Sequence, residues 1–200
     1  MGFEYINFAE AAATPPLFVY YEWMRYVALL RGINVGGNSK VPMPELKQVF
    51  EGLDFDNVKT YINSGNVAFD HDLKKISEAS LVSRIEDAIE GRFGIRIQVM
   101  VREQKAIDTV LSSNPFEGEF ESHKEMHVLF MKERMPNDKE TELLNKQTEN
   151  ERFAVFGREI YCHLKLGVAD SLLGKGYIEK KLKVAVTGRN WRTVQKLAEM

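Results

Sequence analysis

Val58-Lys59-Thr60-Tyr61-Ile62-Asn63-Ser64-Gly65-Asn66-Val67-Ala68-Phe69 consists of two β-prone runs joined by a serine and a glycine. Val58 to Asn63 and Asn66 to Phe69 therefore read as strands of an antiparallel hairpin turned at Ser64 and Gly65. Upstream, Tyr26 to Arg31 is a compact apolar run, a buried strand, and Pro44 opens a helix whose Leu46, Val49, Phe50 and Leu53 fall on one face. Downstream, Leu73, Ile76, Val82, Ile85, Ile89 and Phe93 mark a long amphipathic helix ended by Gly94, and Ile95 to Val101 is strongly β-prone. The order β-α-β-β-α-β is that of a ferredoxin-like plait.

A second copy of that order follows a connecting helix (Ile107, Val110, Leu111) and an acidic loop from Asn114 to Glu125. Met126 to Met131 reads as a strand, and Asn137 with Glu140 as a capping box for a helix through Leu143 and Leu144. Phe153 to Phe156 and Glu159 to Leu164 make a second hairpin, turned at Gly157 and Arg158. Asp170 or Ser171 can cap a helix carrying Leu172, Leu173, Ile178 and Leu182. Asn190 can cap a last helix with Trp191, Val194, Leu197 and Ala198 on one face, which leaves the final strand replaced by helix or reduced to Val184 to Val186.

The expected architecture is α+β, with two ferredoxin-like (α/β plait) β-α-β-β-α halves and a C-terminal helix. The first half spans residues 24–101, the connecting helix and loop 102–125, and the second half 126–200. Residues 1–23 read as an N-terminal extension, and Met24, directly before the first strand, as a candidate start.

Composition excludes several classes. Of 200 residues, 44% are hydrophobic and 28% charged, the balance of a globular chain. No window reaches the ~20 apolar residues of a membrane span. The lone Cys162 supplies neither a disulfide nor a cysteine-rich zinc site, so a cytoplasmic location is expected. Net charge is −2, yet residues 158–200 hold 9 basic and 4 acidic side chains, an excess that suits an anionic partner or simply a solvated face such as Lys180, Lys181 and Lys183.

Three polar stretches are candidate ligand sites. Arg31-Gly32-Ile33-Asn34-Val35-Gly36-Gly37 is a glycine-rich loop that begins with a guanidinium at a strand end; it fits neither the phosphate-loop nor the dinucleotide fingerprint. Asn63, Ser64, Gly65 and Asn66 place amides and a hydroxyl at the hairpin, though turns favour those residues for local reasons too. Thr187 to Thr193 joins a helix N-terminus to Arg189, a residue with few structural excuses, while Trp191 reads as a core anchor. His71, His123, His127 and His163 are dispersed and make no metal site; Cys162 reads as buried filler, and nothing calls for a cofactor. The aromatic signature of RNA-binding plaits is absent.

YVALLRGINVGG from Tyr26, VPMPELK from Val41, VKTYINSGNVAF from Val58, NPF at Asn114 and TGRNWRTVQKL from Thr187 together resemble the bacterial family called domain of unknown function 1697. The resemblance runs from Met24 to Met200. It implies a cytoplasmic α+β protein with plait-like halves and no established activity. The family's recurrent polar positions correspond here to Arg31, Asn34, Gly36, Gly37, Asn63, Ser64, Gly65, Asn66, Arg189, Asn190 and Thr193.

The leading expectation is that these loops converge on a cleft for an anionic small molecule or nucleic-acid phosphate. An enzyme acting on a phosphorylated or nucleotide-like substrate, with Asp70 or Asp72 as acid or base, is one alternative; a scaffold dimerising through a sheet face or edge is another.

Overall fold

The computed structural model describes residues 23–37, 39–72 and 77–200. The proposed extension therefore lies outside the described residues, apart from Trp23. The first half runs β1 (Trp23–Leu30), α1 (Met43–Glu51), β2 (Asp56–Tyr61), β3 (Asn66–Asp72), α2 (Glu78–Phe93) and β4 (Val99–Glu103). After α3 (Gln104–Ser112), the second runs β5 (Met126–Met131), α4 (Asn137–Leu144), β6 (Glu151–Phe156), β7 (Glu159–Leu164), α5 (Tyr177–Lys180) and β8 (Val186–Asn190), and α6 (Trp191–Ala198) closes the chain. The protein is α+β, with two four-stranded antiparallel sheets ordered β2-β3-β1-β4 and β6-β7-β5-β8.

Strand periodicity explains the layering. Side chains alternate across a strand, so Tyr26, Ala28 and Leu30 meet the helix layer with Leu46, Phe50, Leu81 and Ile85, while Val27 and Leu29 face the other half. The second sheet divides in the same way: Leu129 and Met131 pack with Leu143 and Ile178, while Val128 and Phe130 point to the shared interior. The sheets thus enclose one common apolar layer, into which α3 and α6 insert Ile107, Val110, Trp191, Val194 and Leu197. Trp191 is the expected core anchor, and Cys162 is fully buried, its thiol pushed well above its ordinary value by burial.

Several boundaries differ from those read in the sequence. α2 begins at Glu78, capped by Ser77, whose Oγ accepts from the Ser80 amide; Leu73 and Ile76 lie outside the described residues. Asn137 is not a cap, because Pro136 occupies that position and no side chain closes it. Residues 168–176 form turns in which the Ser171 hydroxyl bonds Val168 O and accepts from Gly174 N, so the helix expected from Asp170 shrinks to α5. The final strand is neither lost nor confined to Val184–Val186. β8 pairs with β5 from Val186 to Asn190 and runs straight into α6, where the Asn190 side chain does cap, accepting from the Thr193 amide at 2.9 Å.

The registers relate the halves position by position. Leu29 faces Asn66 and Val27 faces Arg102 in the first sheet; Phe130 faces Glu159 and Val128 faces Arg189 in the second. Asn66 is therefore the counterpart of Glu159, and Arg102 of Arg189, which brings two buried arginines to corresponding sites.

Candidate functional site

Each of these arginines reaches across to the other half. Arg189 Nη2 donates to Leu30 O at the end of β1 and to Ser64 O and Gly65 O in the first hairpin turn; Nη1 donates to Gly188 O and Thr187 Oγ1, and Nε to Asn66 Oδ1 at 2.5 Å. Arg102 repeats the scheme in mirror fashion, with Nη2 to Met131 O at the end of β5 and to Arg158 O in the second hairpin turn, Nη1 to Val101 O, and Nε to Glu159 Oε1 at 2.7 Å. The hairpin of each half is thus clasped by a guanidinium from the last strand of the other.

The two clasps differ in charge. Arg102 is matched by the Glu159 carboxylate, whereas Arg189 is matched by the neutral Asn66 amide and has no carboxylate partner among the described residues. Local geometry explains the amide: Asn66 Nδ2 also donates to Tyr61 O at 2.8 Å, closing its own hairpin, which a carboxylate oxygen cannot do. Burial lowers the Arg189 guanidinium to about 10, so it remains cationic at neutral pH. Burial also lowers Arg102, with Glu159 opposing.

The surroundings differ as well. At the Arg102 end, the turn residue Arg158 reaches over to Glu78 with a bidentate pair at 2.5 and 3.0 Å. At the Arg189 end, the equivalent turn residue is Gly65, with φ +77°, and a Cβ there would lie 2.7 Å from Leu30 Cβ. Gly65 offers no side chain to close over that end as Arg158 does at the other. That end opens instead into a cleft of about 890 Å³ between the halves, lined by Arg31, Arg96, Lys132 and Arg189 together with Glu86 and Glu179.

Charge pairing in the cleft is incomplete. Arg31 donates to Glu179 Oε1 through Nε (2.9 Å) and Nη2 (2.5 Å) and to Gln98 Oε1 at 2.7 Å. Lys132 bonds Glu86 at 2.8 Å, and Arg96 bonds Glu90 at 2.7 Å, away from the lining. Four cations thus face two carboxylates, and the least neutralised of them is Arg189.

Of the residues anticipated from sequence, Arg31, Ser64 and Arg189 line this cleft together. Asn34, Gly37 and Asn63 line an adjoining hollow of about 360 Å³. Asn34 is largely occupied there, accepting from Val41 N and donating to Val41 O and Asn63 O, which ties the glycine-rich loop to the hairpin. Gly36 is exposed and lines neither space. Gly65 and Asn66 lie beneath the cleft, where they hold Arg189. Asn190 and Thr193 line neither and serve the α6 cap. Arg189 proves to have a full structural role, with its N–H groups spent on protein acceptors. Asp70 is bound to Arg25 and Asn57 and does not line the cleft, and the side chain of Asp72 lies outside the described residues.

Sequence reading missed Glu86, Arg96, Lys132 and Glu179. Lys132 could have been found: it follows the last residue of β5 as Arg31 follows that of β1. Glu86 carried a signal too, since its spacing from Val82 and Ile89 puts a carboxylate on the apolar face of α2, whereas Arg96 and Glu179 are charged residues at exposed positions with no local signal.

The model of the family described as "Protein of unknown function (DUF1697)" matches residues 24–161. The chain belongs to that family. The family's region begins at the first residue after Trp23 and covers the first half, α3 and the second sheet through Tyr161. Among solved structures, a conserved bacterial protein of Streptococcus pneumoniae, SP0830, is similar, with TM-score 0.71 and 25% identity over 88% of this chain and 98% of its own. No curated protein matches. No helix among the described residues is long and apolar enough to cross a membrane.

Proposed function

We propose that this DUF1697 protein binds a small anion of phosphate type in the cleft between its halves, and that each half is a ferredoxin-like plait in the service of that site. The plait reading is supported by the strand orders, in which the first and last strands are central and edge neighbours and each hairpin completes the sheet. One observation carries the binding reading: Arg189 is a buried guanidinium with no carboxylate partner among the described residues, at the base of a cleft in which cations outnumber carboxylates. Its N–H groups are engaged, so it acts through its field, which is felt strongly where water is displaced. Direct donors come from Lys132, the Arg31 fork and the Ser39 and Ser64 hydroxyls. A cleft of about 890 Å³ is of a size that suits a small molecule. A cytoplasmic setting suits the lone buried cysteine.

The test is anion-dependent thermal stabilisation at constant ionic strength, with phosphate against chloride, in the parent and in Asn66→Asp. Ligand binding raises the melting temperature of the parent in proportion to ln(1 + [L]/Kd). Asn66→Asp gives Arg189 the partner Arg102 already has, at the cost of the bond to Tyr61 O, and in a variant that still unfolds cooperatively the phosphate-dependent shift should shrink. An unshifted parent, or an equal shift in both proteins, overturns the reading.

A further inference from the structure

Resting on the anion reading of the same cleft, we propose that its ligand is a phosphorylated polyol, of the sugar-phosphate class, rather than a bare anion, a nucleotide or an oligonucleotide. A site built for a bare anion needs donors only, because phosphate and sulfate offer acceptors. This cleft supplies acceptors as well. Glu86 is 5% exposed; its Oε1 takes the Val99 amide at 2.9 Å and Lys132 Nζ at 2.8 Å, while Oε2 has no hydrogen-bond partner among the described residues. Glu179 repeats the pattern, with Oε1 receiving both Arg31 bonds and Oε2 left over.

A carboxylate with an open oxygen repels a bare anion but receives hydroxyl groups well, by charge-assisted O–H···O⁻ bonds. Spare donors stand beside these acceptors: Gln98 accepts from Arg31 through Oε1 while its Nε2 has no partner among the described residues, and Ser39 and Ser64 offer hydroxyls. Donors for a phosphate and acceptors for several hydroxyls in one cavity are the complement of a phosphate ester of a polyol.

The lining argues equally against a nucleobase. Among the described residues no aromatic side chain lines the cleft; its apolar members are Ile33, Val35, Ile97 and Val186, with no ring to stack on a base. Base recognition by single-stranded binders depends on such platforms. The volume of about 890 Å³ accommodates a hexose phosphate with bridging waters.

Calorimetric titration of the full chain decides the matter, with inorganic phosphate, ribose 5-phosphate, glucose 6-phosphate, unphosphorylated glucose, adenosine monophosphate and a short oligothymidylate as probes. A sugar phosphate should bind at least about tenfold more tightly than phosphate or the nucleotide. Glu86→Gln and, separately, the exposed Glu179→Gln should weaken the sugar phosphate by about tenfold while leaving phosphate unchanged or tighter, because each removes a hydroxyl acceptor and a repelling charge together. The exposed site serves if Glu86→Gln does not fold. Equal binding of phosphate and sugar phosphates, or opposite ranking with the nucleotide or oligothymidylate strongest, overturns the polyol assignment and leaves the anion reading intact. No binding by any phosphate-bearing probe overturns both.

Discussion

Replacing Arg189 by methionine keeps the apolar stem and removes the guanidinium, and the cost can be worked from its partners. Six acceptors lose a donor. Leu30 O retains the Thr187 hydroxyl at 3.0 Å, Gly65 O retains the Leu30 amide at 2.8 Å, and Gly188 is exposed to water. The buried Thr187 Oγ1 and the fully buried Asn66 Oδ1 keep no other donor among the described residues, while Ser64 O is part-buried beside the cleft. A buried polar group left unpaired costs about 1–3 kcal/mol, so the two together cost roughly 2–6 kcal/mol. Methionine escapes the desolvation of a buried charge, which offsets part of that loss and leaves an expected destabilisation of about 3 kcal/mol. Urea unfolding of parent and variant at neutral pH without added phosphate measures it. Arg189→Lys retains the charge without the planar fork and should recover less than half. A loss below about 1 kcal/mol in Arg189→Met would refute the assignment of Arg189 as the clasp between halves.

Two further outcomes follow from the geometry. Gly65→Ala combines a positive φ with a Cβ placed 2.7 Å from Leu30 Cβ and from Ile33 Cδ1, so it should destabilise by about 2–4 kcal/mol in the same unfolding assay. A neutral result would mean that the turn can be rebuilt without the close approach. Stability should also fall in acid. Burial, with His123 adding to it, lowers His127 to about 4, and burial lowers His163, so the unfolded chain takes up protons first. The contribution of His127 is complete above its ordinary value of about 6.5 and is lost as pH falls towards 4. Unfolding midpoints at pH 7.5 and 5 in the parent and in His127→Gln check the sign; the variant should lose less on acidification, and equal losses would count against a half-buried imidazole held neutral.

The order of elements was legible because burial on both faces writes itself into runs such as Tyr26 to Leu30, and because Ser64 and Gly65 punctuate the hairpin. β8 was not. Val186-Thr187-Gly188-Arg189-Asn190 lacks alternation and contains a glycine and a charge, and it is held as a strand by pairing with β5 and by bonds that Arg189 makes to the other half. Long-range contacts of that kind leave no local trace. The cleft was half legible for a similar reason: Arg31 and Ser64 sit beside glycines that advertise a loop, whereas Arg96 and Glu179 look like ordinary solvated charges until the halves come together. Asn190 was legible as the α6 cap, and the Thr193 amide and hydroxyl are its partners there. Arg189 misled, since a guanidinium is expected at a surface and this one is 5% exposed.

The reciprocal clasp of Arg102 and Arg189 bears on how the chain melts. Each hairpin borrows its lock from the last strand of the other half, 125 residues distant for Ser64 and 56 for Arg158, in an arrangement that is nearly two-fold. Severed near Ser113, the fragments would each carry an unlocked loop and an orphaned guanidinium, so cooperativity should span the entire molecule, with one transition rather than two on heating.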